Sequence, residues 1–246
     1  MVKNEEDVIG PVIEHLLAEG IHHVIVADNL SSDGTREILE ALAQRCPVTV
    51  VNDPDPAHRQ SEKMTHLFHM ARERGASWVI PFDADEVWVS PEGRLADVIE
   101  GSADADMLVA LMFDHYPLLR GESPFSRMRL RDRHPTGFQK VAIRAMPGVV
   151  IAHGNHMATG PVFRRIDGRL AIHHYSYRSF GHFVRKNRQG KNALDATNEA
   201  DETLGAHWRK YGGYSEARLA YVWGARYLRA VLRGVVVDDF TPSWVE

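Results

Sequence analysis

Apolar residues in the first third of the chain recur first at helical and then at strand spacing. Five of them predict an N-terminal helix that ends at Gly20: Val8, Ile9, Val12, Ile13 and Leu16. Three short apolar runs then predict strands at residues 24–27, 48–51 and 78–82. Segments with helical spacing separate them, at residues 35–45 and 61–74. This alternation predicts an α/β fold with a mostly parallel central sheet flanked by helices.

Polar residues follow the predicted strands at the ends where parallel sheets bind ligands. Met1 and Val2 predict the stub of a first strand. The candidate residues after this stub and after the next strand are Asn4, Glu6, Asp28, Ser31 and Asp33. We expect them to face one crevice. The loop over residues 28–35 is typical of a nucleoside-binding loop and equally of an ordinary strand-to-helix turn.

Two carboxylates one residue apart, Asp83 and Asp85, follow the third apolar run. A strand holds alternate residues on one side, so the pair forms a fork of oxygen ligands suited to a hard divalent cation. Such a cation would hold a phosphate or pyrophosphate. A solvated strand end is the alternative for an isolated acidic pair, and the neighbouring polar loops favour a binding site.

The second half of the chain adds a carboxylate and two histidines. An apolar run at residues 107–113 predicts a central strand, and Asp114 follows it. His173 and His174 lie on another predicted strand. Neighbouring residues of a strand point to opposite faces, so only one of the two can reach the crevice.

A basic segment and an amphipathic helix characterise the C-terminal third. Arg178 and Lys186 belong to the basic segment, which can pin a pyrophosphate or form a solvated helix face. Residues 214–232 have apolar positions at helical spacing with arginines between them. Packing against the domain or against a second copy of the chain explains such a stripe. Attachment to an anionic membrane surface is the alternative.

The composition is that of an ordinary globular protein. The 246 residues include 29 Lys and Arg against 33 Asp and Glu, a formal charge of −4, so no basic excess points to nucleic acid. The single Cys46 excludes an internal disulfide and fits a reducing compartment. No apolar stretch predicts a signal peptide or a membrane span. We therefore expect a cytoplasmic protein, with peripheral attachment to a membrane as the alternative.

Four segments of the chain carry a recognisable pattern when they are taken in order. They are residues 3–7, residues 24–35 with V-x-D-N-x-S-x-D-G-T from Val26 onward, residues 83–86 with D-x-D, and residues 170–191 with His-His-Tyr. The pattern resembles the family 2 glycosyltransferases with the GT-A fold. The resemblance implies metal-dependent transfer of a sugar from a nucleoside diphosphate sugar, typically UDP-linked, to an acceptor that the sequence does not identify.

The resemblance also implies roles for individual residues. Asp28 would accept a hydrogen bond from the base, most often uracil, while Asn4 and Glu6 would border the base and ribose. Asp83 would lie near the ribose and the metal. Asp85 would be the principal carboxylate ligand of Mn²⁺ or Mg²⁺.

Family placement favours His174 over His173 as the third metal ligand. An imidazole beside carboxylates favours Mn²⁺ over Mg²⁺ more than an all-oxygen site would. Lys63 lies in the segment where members of the family contact the nucleotide, although a solvated helix is the alternative there.

The sequence does not identify the general base. Members of the family invert the anomeric centre with a carboxylate located between the D-x-D motif and the late histidine, but residues 140–156 contain no Asp or Glu. His153 and His156 stand there instead, and an imidazole can act as a base near neutral pH. Asp114 is the competing base. Inversion itself is implied by the family alone.

We divide the chain into a nucleotide-sugar-binding half (1–113), a second half of the same domain that binds the acceptor and completes the metal site (114–205), and a C-terminal helical tail (206–246).

Two other functions are alternatives. The spacing of Asp83 and Asp85 also resembles the first motif of haloacid-dehalogenase phosphatases, whose first Asp is the nucleophile. A non-catalytic subunit that binds nucleotide sugars or a partner is the other alternative, and turnover of a nucleotide sugar would distinguish it.

Overall fold

The computed structural model describes residues 1–117, 123–197 and 205–238. The helices are α1 (Ile9–Ala18), α2 (Thr35–Arg45), α3 (Gln60–Glu73), α4 (Leu95–Gly101), α5 (Pro124–Arg127), α6 (Phe180–Asp195), α7 (Ala206–Gly212) and α8 (Glu216–Arg233). The strands are β1 (Val24–Asp28), β2 (Val48–Asn52), β3 (Trp78–Val79), β4 (Glu86–Val89), β5 (Met107–Tyr116), β6 (Leu130–Asp132), β7 (Gln139–Arg144), β8 (Val150–Ile151), β9 (Ala158–Thr159), β10 (Arg165–His174) and β11 (Val235–Val237). A 3-10 turn spans His153–Asn155.

Helix α1 forms where the apolar spacing predicts it. Val12 and Leu16 on one side pack into the core beneath β4 and β5. Ile9 and Ile13 on the other side join a second core with α2 and β1. The chain then turns through Gly20, whose φ of +87° lies in the left-handed region that glycine adopts without strain.

The N-terminal strands are parallel, as predicted. β1 pairs with β2 along its whole length, with α2 as the crossover between them. Val2 forms a single parallel bridge to Asp28. The predicted first strand is therefore present as a stub.

The large sheet is mixed rather than mostly parallel. β5 pairs in parallel with β10, whereas its pairs with β6 and β7 are antiparallel, and so is the pair of β10 with β4. The expectation of a mostly parallel sheet thus holds for the N-terminal strands and for β5 with β10. Among the described residues, no long crossover helix lies between β5 and β6 or between β6 and β7, and strands joined without such a helix commonly run antiparallel to each other.

The strand predicted at residues 78–82 is shorter than expected. Only Trp78 and Val79 pair with β7, and the chain then diverges from that strand. Asp83 and Asp85 therefore lie in the turn between β3 and β4, and Glu86 begins β4.

Strand β5 runs across the boundary drawn at residues 113 and 114, and β10 pairs with both β5 and β4. The two predicted halves consequently share one sheet. The three-part division stays a prediction, and residues 239–246 of the tail lie outside the described residues. Within the described ranges, no helix combines the length and the apolar character that a membrane span requires.

Candidate active site

A crevice of about 1520 Å³ opens at the ends of the strands. Eight of the residues predicted from the sequence line it: Asn4, Asp83, Asp85, Asp114, His153, His156, His174 and Lys186. Six others lie outside its lining: Glu6, Asp28, Ser31, Asp33, Lys63 and Arg178. The structure therefore places the predicted metal ligands and base candidates in one crevice, and it places part of the predicted nucleotide-binding residues outside the crevice lining.

Asp83 is held by two partners from later in the chain. The ammonium of Lys140, on β7, donates to one oxygen of Asp83 over 2.5 Å and also contacts the Glu86 carboxylate at 2.7 Å. The side-chain amide of Asn155 donates to the other oxygen of Asp83 over 3.0 Å. Burial acts to raise the pKa of Asp83, but the charge of Lys140 outweighs it and the pKa lies below its ordinary value.

Asp85 is buried and paired with Lys186, which reaches it from α6. The same ammonium lies 3.4 Å from the carboxylate of Glu5. Burial acts to raise the pKa of Asp85, but the charges of Lys186 and His174 lower it below its ordinary range. Asp85 is therefore a carboxylate at neutral pH, as a metal ligand must be.

Parallel register places His174 beside Asp114. The two are direct partners in the pairing of β10 with β5, and on its other side His174 pairs with Glu86 of β4. The Nδ1 of His174 lies 2.7 Å from Oδ1 of Asp114, whose other oxygen accepts a 2.9 Å hydrogen bond from Arg226 of α8. Burial acts to lower the pKa of His174, but Asp114 and Asp85 outweigh it and raise the pKa.

Asp85 and His174 fit a shared divalent cation. Their Oδ2 and Nε2 atoms lie 3.8 Å apart, and the contact of Nδ1 with Asp114 directs the Nε2 lone pair towards Asp85. A carboxylate behind a histidine is the usual arrangement at protein metal sites. Asp83 instead contacts Lys140 and Asn155. Among the described residues, the ligand atoms of Asp83, Asp85 and His174 do not all lie within 4.8 Å of one another.

The polar residues of the N-terminal stub and the 28–35 loop bind mainly one another. The Asn4 side chain accepts a 2.7 Å hydrogen bond from the Ser32 amide, and its backbone amide donates to Ser31 Oγ over 3.0 Å. Glu6 accepts a 2.7 Å hydrogen bond from the Gly34 amide. Asp33 accepts one from the Thr35 hydroxyl over 2.6 Å. This network fixes the two loops against each other at the edge of the crevice.

Asp28 is buried at the end of β1. Its Oδ1 accepts a 3.2 Å hydrogen bond from the Ser31 amide, and its Oδ2 lies 3.7 Å from the guanidinium of Arg36. Asn29, the next residue, lines the crevice. The predicted contact of Asp28 with a base stays a prediction.

Lys63 and Arg178 have partners within the protein. The Lys63 ammonium lies 2.7 Å from the Asp53 carboxylate and donates to the Asp55 carbonyl oxygen over 2.7 Å. Arg178 is buried and ion-paired with Glu5 and Asp7. Both contacts brace loops next to the crevice.

Two histidines of the crevice lining lie on the segment after β8. The Nδ1 of His156 is 2.8 Å from the Gln139 carbonyl oxygen, so Nδ1 carries the proton and Nε2 keeps its lone pair. Burial lowers the pKa of His156 and keeps the ring neutral. A Cβ added at Gly154 would lie 2.5 Å from Nε2 of His156, so glycine makes room for this ring. His153 precedes it at the start of the 3-10 turn and also lines the crevice.

Sequence reasoning missed four residues of the site: Glu5, Lys140, Asn155 and Arg226. The contacts of the last three with Asp83 or Asp114 span 57 to 112 positions. No local pattern marks such pairs. Glu5 belongs to the motif at residues 3–7, between the candidate residues Asn4 and Glu6.

The sequence model described as glycosyl transferase family 2 matches residues 1–198, about four fifths of the 246 residues. The chain therefore belongs to that family and is a glycosyltransferase. Membership confirms the resemblance and the GT-A fold class, and it argues against the phosphatase alternative. A comparison with curated proteins finds no significant match.

Several solved structures resemble the fold at a distance. S. aureus TarS 1-349 in complex with UDP has a TM-score of 0.48 and 12% identity, over 86% of this chain and 67% of that one. The complex of the same protein with UDP-GlcNAc has a TM-score of 0.45 and 14% identity, over 92% and 69%. HddC from Yersinia pseudotuberculosis has a TM-score of 0.31 and 18% identity, over 55% and 59%. The family match, and not these likenesses, establishes the class of the protein.

Proposed function

We propose that this glycosyltransferase moves a sugar from a UDP-linked donor to an acceptor, with inversion, and that Asp85 and His174 bind a Mn²⁺ or Mg²⁺ ion needed for the transfer. The observation that carries the proposal is the line of contacts from Asp85 through His174 to Asp114. It presents a carboxylate oxygen and an imidazole lone pair to one point of a large crevice. Asp83 lies beside them and contributes charge.

A bound divalent cation would stabilise the diphosphate as it leaves the sugar. Lys186 supports the same role because its ammonium lies at the crevice, within reach of whatever occupies the space beside Asp85. Arg178 lies outside the crevice lining and acts indirectly, since its ion pairs hold Glu5 and Asp7 in the N-terminal loop.

His156 is the general base in this proposal. Its neutral ring, the lone pair on Nε2 and its place in the crevice wall meet the requirements for taking a proton from an acceptor hydroxyl. Asp114 is a positioning residue, because its two oxygens are engaged by His174 and Arg226. His153 lines the crevice nearby and is the second candidate.

The paired loops of the N-terminal stub and residues 28–35 would hold the nucleoside. Asn4 borders the crevice directly. Glu6, Ser31 and Asp33 fix the loop backbone, and Asp28 would contact the base after exchanging its local hydrogen bond from Ser31. The metal would still hold the diphosphate if this contact were lost.

Release of nucleoside diphosphate from a panel of nucleotide sugars tests the proposal. We expect a UDP-linked donor to release UDP when Mn²⁺ is present, and we expect this release to stop when a chelator is added. Asp85→Asn should abolish release, while Asp104→Asn, an exposed aspartate away from the crevice, should leave it unchanged. His156→Ala should lower kcat without changing the Mn²⁺ requirement. Release that persists in chelator would contradict the role of the metal, and absence of turnover with every donor would favour the non-catalytic alternative.

A further inference from the structure

A group of side chains that could hold a metal ion lies on the face of the sheet opposite to the crevice. It consists of His115, His173 and Asp238, and we refer to it as the back cluster. Side chains alternate along a strand, so Asp114 and His174 point into the crevice while their neighbours His115 and His173 point away from it. Asp238 follows β11 and meets them from the C-terminal segment.

The ligand atoms of the back cluster have the spacing of a tetrahedral metal site. His115 Nε2 lies 2.9 Å from His173 Nδ1. Asp238 Oδ2 lies 3.5 Å from the first and 3.2 Å from the second. Ligands at the usual Zn–N and Zn–O distances of a tetrahedral site stand roughly 3.3 Å apart. The three measured separations bracket that value.

Further contacts orient these ligands in the way that metal sites require. Nδ1 of His115 lies 2.7 Å from the Met128 carbonyl oxygen, so the proton sits on Nδ1 and the Nε2 lone pair faces the cluster. Arg131 donates a 2.8 Å hydrogen bond to the Asp238 oxygen that faces the two histidines. A backbone carbonyl behind a histidine and a donor behind a carboxylate are both typical supports of metal ligands.

The cluster is also enclosed. The His115 ring is buried and stacks on Tyr175, with ring centres 4.4 Å apart. The side chains of His173 and Asp238 keep small exposed fractions of 12% and 11%, which leaves an approach for an ion and a water molecule. Two imidazoles and one carboxylate suit zinc better than magnesium or calcium, which prefer oxygen ligands.

We propose that the back cluster binds a Zn²⁺ ion, with water as the fourth ligand, and that this ion fastens the segment after β11 to β5 and β10. The ion would hold the two strands on which Asp114 and His174, the neighbours of His115 and His173, stand in the active site. The site is distinct from the one at Asp85 and does not depend on the proposed reaction.

Zinc binding to the purified chain, measured in competition with a chromophoric chelator, tests this proposal without any donor or turnover. The background is an Asp85→Asn/His174→Gln variant, so that the active-site residues do not take up the ion. We expect one zinc ion per chain in this background. Adding Asp238→Asn or His173→Gln should weaken zinc binding more than about tenfold. Adding His66→Gln, an exposed histidine on α3, should not change it.

Circular dichroism and melting curves show whether each variant folds. X-ray absorption of the zinc-loaded background variant gives a second measurement, and it should show two imidazole nitrogens with oxygen ligands. The proposal fails if the background binds no zinc at micromolar concentrations. It also fails if folded Asp238→Asn and His173→Gln variants bind zinc like the background, or if the spectrum lacks imidazole ligands; the back cluster is then an ordinary hydrogen-bond network.

Discussion

Two lysines set the charge of the crevice floor. Lys140 contacts Asp83 and Glu86, and Lys186 contacts Asp85 and Glu5. Each ammonium thus faces two carboxylates, and burial raises the pKa of Glu86 to about 7.

The pairing of Lys140 predicts a large effect on stability. Lys140→Met should lower the free energy of unfolding by about 3–5 kcal/mol, because it leaves buried carboxylates without their counter-charge. Lys191→Met removes a solvent-accessible ion pair with Asp195 on α6 and should cost less than about 1 kcal/mol. Urea unfolding of both variants measures the difference. Equal losses would show that Lys140 contributes no more than a surface charge.

The contact between His174 and Asp114 predicts the metal requirement. His174→Ala should raise the Mn²⁺ concentration for half-maximal turnover at least about tenfold, and Asp114→Asn should raise it in the same direction, since both remove support for the ion. His156→Ala is the matched control and should change kcat alone. If His174→Ala leaves the Mn²⁺ dependence unaltered, the cation is held by Asp85, the diphosphate and water.

Protonation of His15 should account for part of the stability that the protein loses in acid. This histidine is buried on α1, with Nε2 2.7 Å from the Trp88 carbonyl oxygen, and burial lowers its pKa below 6.5. The folded protein disfavours protonation of His15. The stability that neutral His15 contributes is therefore fully present above pH 6.5 and is lost as the pH falls towards the lowered pKa. The loss is at most about 1.4 kcal/mol per pH unit. His15→Gln should therefore lose less stability than the wild type between about pH 7 and pH 5 in urea titrations, and parallel losses would contradict this role.

At the scale of elements, strand register accounts for the site. One parallel pairing, β5 with β10, places Asp114 beside His174 and sends His115 and His173 to the other face. A shift of one residue in this register would exchange the faces and remove the candidate metal site. The site is thus a consequence of how two strands far apart in sequence align.

The close packing of α6 on α7 can be tested at a single glycine. A Cβ added at Gly190 would lie 2.3 Å from the ring of Trp208, so Gly190→Ala should force the helices apart and cost about 1–3 kcal/mol. Gly213→Ala is the control, because nothing lies within 4 Å of its added Cβ. Thermal melting compares them. A Gly190→Ala variant as stable as the control would mean that Trp208 moves aside without cost.

Much of the N-terminal half could be predicted from sequence, because apolar spacing determines α1, β1, α2 and β2 locally. The opposite faces of His173 and His174 also followed from strand geometry, and the structure places them so. Three features could not be predicted from sequence: the mixed pairing of the large sheet, the early end of β3 and the role of Lys140. Each depends on which distant strand lies alongside, and that is decided by packing over the whole chain and not by a local pattern.

At the scale of the molecule, the C-terminal helix α8 forms part of the crevice lining. Arg226 of α8 binds Asp114, and Leu219 is buried against α6. The same helix exposes Tyr221, Leu228 and Leu232. A contact of this surface with a membrane or a second copy of the chain stays a prediction.

Calorimetric titration of UDP into the protein, with Mn²⁺ and again with a chelator, tests the proposed metal site most directly. We expect removal of the cation to weaken UDP binding at least about tenfold in the wild type, and Asp85→Asn to bind UDP weakly and equally in both conditions. The same affinity for UDP with and without Mn²⁺ in the wild type would contradict the central claim that Asp85 and His174 hold the donor through a metal ion.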